Sequence, residues 1–214
     1  MARILLIGGH GKIALLLEPI LAEAGHHVTA VIRNPDHESD VTDAGATALV
    51  ADIEQLTTEQ LTNVVSGNEV VIWSAGAGGG SAERTYAVDR DAAIRTMDAA
   101  VAAGVSRYLM VSYFGAGPDH GVPEDDDFFA YADAKSAADE HLRASGLDAT
   151  ILAPSALTLD APTGRIDVTA TEGRSVARAD VAAVLAAAVD EPATIGRTIS
   201  FNSGDVPIAE AIRG

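Results

Sequence analysis

Cysteine is absent from the 214 residues of this sequence, and aromatic residues make up only 4% of them. Without thiols the chain has neither a disulfide framework nor a thiolate metal site, which favours a reducing, cytoplasmic location. The few aromatics leave the hydrophobic core to Ala, Val, Leu and Ile. The apolar run at residues 2–7 is too short for a signal peptide or a membrane span, so we expect no membrane partner.

Positive charge is also scarce, because 14 Lys and Arg residues stand against 31 Asp and Glu residues, for a formal net charge of −17. Proteins that bind nucleic acid neutralise phosphates with clustered basic side chains, so this composition argues against a nucleic-acid partner. Lysine occurs only as Lys12 and Lys135, and both fall inside the motifs described below. The histidines show no metal-ligand spacing, and we expect no metal site.

Short apolar runs alternate with amphipathic stretches of helical period along nearly the whole chain, which is typical of a parallel sheet flanked by helices. The predicted strands cover residues 3–7, 27–33, 47–51, 70–74, 108–113, 149–152 and 198–201. The predicted helices cover residues 12–24, 58–65, 82–103, 127–145 and 179–189. No linker or repeat divides the chain. We therefore predict one α/β domain over residues 1–214, a Rossmann-type doubly wound parallel sheet flanked by helices.

The two least regular stretches, residues 115–126 and 160–176, follow the fifth and sixth predicted strands. Ligands of open α/β sheets bind at the carboxyl ends of the strands, so these loops are the expected walls of a substrate site. The second loop is too short for a substrate domain, and we expect a small-molecule substrate in a small or open pocket. A monomer and a homodimer are both compatible with this pattern.

A glycine-rich segment links the first predicted strand to the first predicted helix. It fits the dinucleotide fingerprint G-x-G-x-x-A from Gly9 and the related G-x-x-G-x-x-A pattern from Gly8. In such a loop the first glycines allow a sharp turn, and a bare backbone approaches the pyrophosphate. The helix N-terminus then offers N–H groups and a partial positive charge. We predict that the loop binds a dinucleotide cofactor through Gly8, Gly9, His10, Gly11, Lys12 and Ile13.

The end of the second predicted strand bears on the choice of cofactor. NAD-specific sites usually carry an acidic residue here, which binds the ribose 2′-hydroxyl, but this chain has Arg33. A guanidinium would make a two-pronged, charge-assisted contact with a 2′-phosphate, and Lys12 would add a second charge from the glycine loop. The sequence therefore favours NADP(H) over NAD(H), with the alternative that Arg33 is an ordinary surface residue.

Two later turns complete the predicted cofactor site. Asp52 and Ile53, after the third predicted strand, fall where an adenine ring usually lies, with the carboxylate accepting from its amino group. Ser74, Ala75 and Gly76, after the fourth predicted strand, would pass close to the pyrophosphate and the nicotinamide ribose. Either turn alone is an ordinary strand-to-helix connection, but both fall at the right places in order.

Tyr131 and Lys135 stand four residues apart on a predicted helix and therefore on one of its faces. A free tyrosine has a pKa of about 10, which makes it a poor acid–base group at neutral pH. One positive charge about 4 Å away would lower that pKa by up to ~3 units, so we expect Lys135 and an oxidised nicotinamide to activate Tyr131. Lys135 would also hold the nicotinamide ribose, and Ser112 would orient the substrate oxygen. Alternatively, the pair only braces the cofactor.

With these motifs on view, the sequence resembles an atypical short-chain dehydrogenase/reductase. The likeness extends through residues 88–91, 107–112, 145–154 and 178–182, and so covers essentially the whole chain. The most similar members form a small bacterial NAD(P)H-binding group, epimerase/dehydratase-like and related to NmrA-like regulators and to flavin or biliverdin reductases. The resemblance implies a Rossmann domain, a preference for NADP and a nicotinamide-side loop at Pro154. It is much less specific about the reaction.

Three departures from that group matter. Ala153, Pro154 and Ser155 stand where Arg-Pro-Gly is usual, Ser74 stands where Asn is common, and Ser112 lies farther from the tyrosine than usual. The leading hypothesis is an NADP(H)-dependent oxidoreductase acting on a small carbonyl, quinone or flavin-like substrate. The first alternative is a non-catalytic NADP(H)-binding regulator that senses the redox ratio. A sugar-nucleotide epimerase or dehydratase is weaker, because the chain lacks the length of a nucleotide-sugar domain.

Overall fold

The computed structural model describes residues 1–214, and strands alternate with helices along most of the chain. The strands are β1 (Arg3–Ile7), β2 (His27–Ile32), β3 (Thr47–Val50), β4 (Val70–Trp73), β5 (Arg107–Val111), β6 (Asp148–Pro154), β7 (Ala156–Thr158), β8 (Arg165–Asp167), β9 (Ser175–Ala177), β10 (Arg197–Ser203) and β11 (Val206–Pro207). The helices are α1 (Ala14–Glu23), α2 (Glu38–Asp43), α3 (Thr58–Val65), α4 (Ala82–Thr85), α5 (Ala93–Ala103), α6 (Phe129–Ala144), α7 (Arg178–Val189) and α8 (Ile208–Ala211). A π-helical turn, Tyr86–Ala92, joins α4 to α5.

The central sheet has nine strands in the order β11-β8-β10-β6-β5-β4-β1-β2-β3. The seven strands from β10 to β3 run parallel, while β8 and β11 extend the β10 edge in antiparallel fashion. Strands β7 and β9 form a separate parallel pair. The chain order reverses between β1 and β4, the kind of switch point where open α/β sheets bind ligands. The predicted Rossmann-type sheet is confirmed.

Strand β1 shows why the strands of this sheet have continuous apolar sequences. Ile4 and Leu6 belong to the core under α1 and α7, whereas Leu5 and Ile7 belong to the core under α3 and α5. All four side chains are fully buried. A strand covered by helices on both faces has no polar face to alternate with, so its residues are apolar throughout.

The seven predicted strands are all present, with ends within two residues of the predicted ones. The predicted helix at 82–103 is interrupted by the π-helical turn, and the one at 12–24 begins only at Ala14. The predicted loop 160–176 contains β8 and the start of β9, which are three-residue strands too short to show a period. No helix is both long enough and apolar enough to cross a membrane.

Candidate cofactor cleft and active site

The glycine loop is wedged between β2 and the turn that follows β4. Gly8 has a φ of +88°, and a Cβ there would lie 2.7 Å from the Ala75 backbone. A Cβ on Gly9 would lie 2.6 Å from the Cβ of Ala30. Both glycines donate their backbone N–H groups to the carbonyl of Val31, at 3.2 and 2.9 Å. No larger residue fits at these two positions without a backbone shift, so the loop can pass close to a ligand.

The other half of the loop offers hydrogen-bond donors. The backbone N–H groups of His10, Lys12 and Ile13 donate to no backbone carbonyl, whereas Gly11 donates to the carbonyl of Gly8 at 2.9 Å. Helix α1 begins directly afterwards at Ala14. Free N–H groups at the start of a helix form a ready site for an anion, so this segment fits the pyrophosphate of a dinucleotide.

A cavity of about 310 Å³ lies on the β2–β3 side of the loop. The predicted cofactor residues Arg33, Asp52 and Ile53 line it, as do Glu54 and Arg84, which the sequence analysis missed. Arg33 donates to the Glu54 carboxylate at 3.0 Å, and Arg84 donates to the same oxygen at 3.3 Å. Asp52 accepts the backbone N–H of Glu54 at 3.1 Å, so one of its carboxylate oxygens shapes the turn.

The His10 side chain, in the glycine loop, does not stand free. Its ring stacks on that of His37 with centroids 3.5 Å apart, and its Nε2 is 2.8 Å from the Asp40 carboxylate. His37 also lines the smaller cavity. The side chain of His10 therefore contacts α2 and the turn before it. Its backbone N–H remains available to bind a ligand.

A second cavity of about 1020 Å³ opens on the other side of β4. Residues 74–77, which include the predicted Ser74, Ala75 and Gly76, line both cavities and join them into one cleft along the carboxyl ends of the strands. Ile13 also lines the larger cavity. Gly9, Lys12 and Pro154 line neither one; Lys12 is exposed, and Pro154 is buried with its carbonyl accepting from Phe114 at 2.9 Å.

Tyr131 and Lys135 share the face of α6 that forms one wall of the larger cavity. Lys135 is 1% exposed, and its Nζ donates to the Val111 carbonyl at 2.7 Å and lies 3.2 Å from Met110 Sδ. The structure thus brings together the tyrosine and lysine that the sequence predicted as a pair. The ammonium group, however, is anchored on β5.

Within the chain alone, the pKa of Tyr131 does not show the lowering that its spacing from Lys135 predicts. Burial raises the pKa of Tyr131, and the carboxylates of Asp89 and Asp139 raise it further. Burial also lowers the pKa of Lys135, against the opposing charges of the same two acids. Desolvation and the two acids set the direction of the change in the Tyr131 pKa, and Lys135 is not among its causes. Tyr131 therefore stays a neutral phenol well above neutral pH.

Ser112 was predicted to orient the substrate, but the structure does not bring it to the cavity. Its side chain is 3% exposed, and its hydroxyl donates to Asp139 Oδ2 at 2.5 Å. Asp139 is fully buried, and its Oδ1 has no hydrogen-bond partner. Ser112 thus donates its hydrogen bond to a buried carboxylate next to Lys135. This geometry does not support a contact between Ser112 and a substrate.

Asp89 is the functional candidate that the sequence analysis did not single out. It is 2% exposed, lines the larger cavity and accepts the backbone N–H of Ala77 at 2.9 Å. Burial raises its pKa, while that N–H group and the charges of Lys135 and Arg84 oppose the rise. The π-helical turn places Asp89 here, and such turns are frequent at functional sites. A regular helical period that starts at residue 82 does not predict that Asp89 faces the cavity.

The remaining walls of the larger cavity differ from the expected ones. Of the two predicted loops, only residues 124–126 reach it, and the segment 160–176 contributes nothing. The opposite wall is the glycine-rich stretch 76–80 with α4. Phe128 and Tyr131 add two rings with centroids 5.2 Å apart. His120 lies outside, where its Nδ1 accepts the N–H of Val122 at 3.1 Å.

A Rossmann-type sheet with a glycine cradle, free N–H groups at a helix start and one cleft across the switch point defines a dinucleotide-binding protein. The chain belongs to the NAD(P)H-binding family, whose model matches residues 8–192. Its cofactor is accordingly a nicotinamide dinucleotide.

Relatives support the same class over the whole chain. The "Uncharacterized sugar epimerase YhfK" of Bacillus subtilis is 33% identical over 214 residues, covering 99% of both chains. A structure of NAD-dependent epimerase/dehydratase type from Bacillus halodurans has a TM-score of 0.91 at 33% identity, covering 99% of both chains. The oxidoreductase ylbE from Lactococcus lactis has a TM-score of 0.87 at 28% identity, covering 98% of this chain and 94% of the other.

Proposed function

We propose that this protein is an NADP(H)-dependent reductase of the atypical short-chain type, acting on a small carbonyl, quinone or flavin-like acceptor. The observation that carries the proposal is the position of Tyr131 and Lys135 in the cavity that adjoins the cofactor cleft. Residues 74–77 line both spaces, so a nicotinamide bound along them would face this cavity. The similarity to the oxidoreductase from Lactococcus lactis supports the same class.

Tyr131 is the proton donor of the proposed reduction. Because burial raises its pKa, the phenol keeps its proton at neutral pH and has one to donate to an acceptor oxygen. A bound reduced nicotinamide would supply the hydride with its two electrons, and Tyr131 would supply the proton to the acceptor. The tyrosine then recovers a proton from solvent. Lys135 contributes a fixed positive charge beside the cavity and a donor group for the nicotinamide ribose.

The preference for NADP(H) rests on Arg33. Its guanidinium lines the smaller cavity, is 57% exposed and is held there by Glu54. A 2′-phosphate at this place would compete with Glu54 for a group that is already in position. Lys12, exposed at the start of the helix, would add a long-range attraction rather than a contact.

Two other functions are weaker candidates. An epimerase or dehydratase, the type that two relatives suggest, begins by withdrawing a proton from a sugar, which the raised pKa of Tyr131 opposes. A non-catalytic sensor of the NADPH/NADP⁺ ratio is favoured by one observation, the engagement of Ser112 with Asp139. That contact leaves the substrate oxygen with fewer partners than a complete reductase site would offer.

Substitution of Tyr131→Phe tests the proposal, with Tyr113→Phe as its matched control. The Tyr113 ring lies beside that of Tyr131, with centroids 5.6 Å apart and a tilt of 47°, but Tyr113 does not line the cavity. NADPH oxidation is measured over panels of carbonyl, quinone and flavin acceptors, and NADPH affinity by titration. We expect Tyr131→Phe to lower kcat/KM about 100-fold or more with unchanged NADPH affinity, and the control to stay within about 3-fold of the wild type.

An equal rate for the Tyr131→Phe variant on a good acceptor would remove Tyr131 from the mechanism. Tight NADPH binding without turnover on any panel would instead support the sensor.

A further inference from the structure

We propose that the larger cavity selects planar, conjugated acceptors that are neutral or positively charged, and rejects anionic ones. The inference rests on the proposed reductase function and adds to it the charge of the substrate. It excludes nucleotide-sugars, phosphorylated flavins and carboxylated acceptors as efficient substrates.

The charge of the cavity lining is strongly one-sided. The ionisable acids that line it are Asp89 and the acidic wall, defined as Glu124, Asp125, Asp126 and Asp127. None of the wall residues forms an ion pair with a basic side chain. The lining contains no arginine or histidine, and its one cation, Lys135, is tied to the Val111 carbonyl. The two arginines next to the lining, Arg84 and Arg90, are already paired with Glu54 and Asp91. A bound anion would therefore meet the carboxylates of the acidic wall without an unpaired cation to offset them.

Asp89 is a second, independent observation at the inner end of the cavity. Its Oδ2 is held by the N–H of Ala77, but its Oδ1 has no hydrogen-bond donor. That oxygen lies 3.1 Å from the place a Cβ on Gly76 would occupy, next to the backbone shared by both cavities. A carboxylate oxygen without a donor, on a side chain that is only 2% exposed, favours a ligand that brings a donor or a positive charge and opposes a ligand that brings a second carboxylate.

The shape of the cavity supports a planar ligand. Phe128 and Tyr131 place aromatic surfaces along it, and Phe128 is still 43% exposed, whereas the Tyr86 ring is already covered by the Arg90 guanidinium 4.7 Å from its centroid. The facing wall, residues 76–80, is alanine and glycine, with no side chain larger than a methyl group. A flat ring can stack on the aromatic side against this backbone, and rings with a positive charge gain from the negative face of an aromatic.

The size of the expected discrimination follows from Coulomb's law. Four carboxylates about 7 Å from a ligand, screened at physiological ionic strength, change its affinity about 5-fold for each unit of ligand charge. A cation and an anion of the same shape should then differ about 30-fold. The ratio should fall as salt is added, because the wall residues are exposed.

Three naphthoquinones of equal ring size test the proposal: an unsubstituted one, one with a sulfonate and one with a trimethylammoniomethyl group. Each is measured for kcat/KM with NADPH and for binding to the NADP⁺-loaded protein by equilibrium dialysis. The four-fold variant E124Q/D125N/D126N/D127N removes the acidic wall and keeps the Asp126 cap to the N–H of Phe128 as an amide oxygen. The variant E59Q/E140Q/D205N/E210Q changes the net charge equally at exposed positions outside the cavity.

We expect cation, neutral and anion to rank in that order in the wild type and the control. In the acidic-wall variant the ratio should fall to within about 3-fold. No charge preference in binding, a preference for the sulfonate, or no binding of any quinone would overturn the inference. Charge-ordered binding without NADPH oxidation would uphold it and count against the proposed reductase instead.

Discussion

The two halves of the cleft treat charge in opposite ways. On the cofactor side, Arg33, Glu54 and Arg84 form ion pairs that are partly open to solvent, with Arg33 57% exposed. On the other side, at the larger cavity and here called the reacting side, Lys135, Asp89 and Asp139 are each at most 2% exposed. The one ammonium group of this cluster lies near two carboxyl groups. Exposed pairs rearrange at little cost, which suits a surface that must exchange partners with a ligand. Buried charges hold their places because separating them is costly.

The buried acids of the molecule also differ in whether hydrogen-bond donors and a nearby cation stabilise their charged form. Asp89 and Asp139 have hydrogen-bond donors and a nearby ammonium group. Glu18 on α1, which lines neither cavity, is also fully buried, yet neither of its oxygens has a hydrogen-bond partner. Burial raises its pKa to about 8. The two buried acids of the reacting half thus lie next to a buried cation, whereas Glu18 has no such partner and favours its protonated form.

The largest effect is expected from Lys135→Met, which removes the only cation from the buried cluster. Two buried carboxylates then lose the buried cation between them and keep only the more distant charges of Arg84 and Arg143, which should lower the free energy of unfolding by about 3–5 kcal/mol. Urea unfolding followed by fluorescence of the single, fully buried Trp73 measures it. Lys12→Met is the control, because Lys12 is exposed and its loss should change stability by less than about 0.5 kcal/mol. If both variants changed the free energy of unfolding equally, the buried charges would be no more important to stability than the exposed ones.

The second effect is a pH dependence set by Glu18. Because its folded pKa of about 8 exceeds the unfolded value of 4.5, the folded state binds the extra proton. The stability it contributes is complete below the unfolded pKa and is lost as pH rises toward the folded one. Between about pH 5 and about pH 8 the wild type should lose about 3 kcal/mol that Glu18→Gln does not lose. Glu23→Gln, exposed on the same helix, should follow the wild type. Parallel pH curves for the wild type and Glu18→Gln would contradict the raised pKa.

Features carried by local pattern could be predicted from the sequence. The buried strands follow from apolar runs, and the glycine loop from residues whose Cβ atoms would collide with Ala75 and Ala30. Tyr131 and Lys135 lie on one helix face because their spacing requires it. Contacts across the fold could not be predicted in this way. Ser112 meets Asp139 27 residues away and Arg84 meets Glu54 30 residues away, and no local period records either pairing.

The position of Asp89 could not be predicted from the sequence for a different reason. A regular helix through residues 82–103 assigns each side chain to a face by a period of 3.6 residues, but the π-helical turn adds a residue locally and changes that assignment. The direction of the change in the Tyr131 pKa within the chain cannot be predicted from the sequence for a related reason. The spacing to Lys135 was correct, but desolvation and the charges of Asp89 and Asp139 depend on packing that the sequence does not display.

On the cofactor side, Arg33→Ala should affect the two cofactors unequally. Loss of a charge-assisted contact to the 2′-phosphate should weaken NADPH binding by about 1.5–3 kcal/mol, or about 10- to 150-fold. NADH has no phosphate at this position, and its affinity serves as the internal control. Calorimetric titration of both cofactors measures the ratio. An unchanged ratio would show that Arg33 does not read the 2′-phosphate.

On the reacting side, Asp89→Asn should move the pH profile of kcat/KM. The negative charge of Asp89 is one cause of the raised pKa of Tyr131, so removing that charge should lower the pKa. Activity that needs the protonated phenol is lost as pH rises through this pKa, so the alkaline limb should shift to lower pH. Asparagine can still accept the N–H of Ala77. A simple structural role would lower activity at every pH without moving the limb.

The smallest effect is expected from Glu54→Gln, which tests whether the exposed pair competes with the cofactor. The variant removes the charge that holds Arg33 and Arg84 at 3.0 and 3.3 Å, yet keeps a side chain of the same size. Exposed pairs contribute about 0–1 kcal/mol, so NADPH should bind up to about 5-fold more tightly, while NADH should be unaffected. Weaker NADPH binding would mean that Glu54 positions Arg33 rather than competing for it. The cofactor side would then be preorganised, as the reacting side is, rather than rearranged by its ligand.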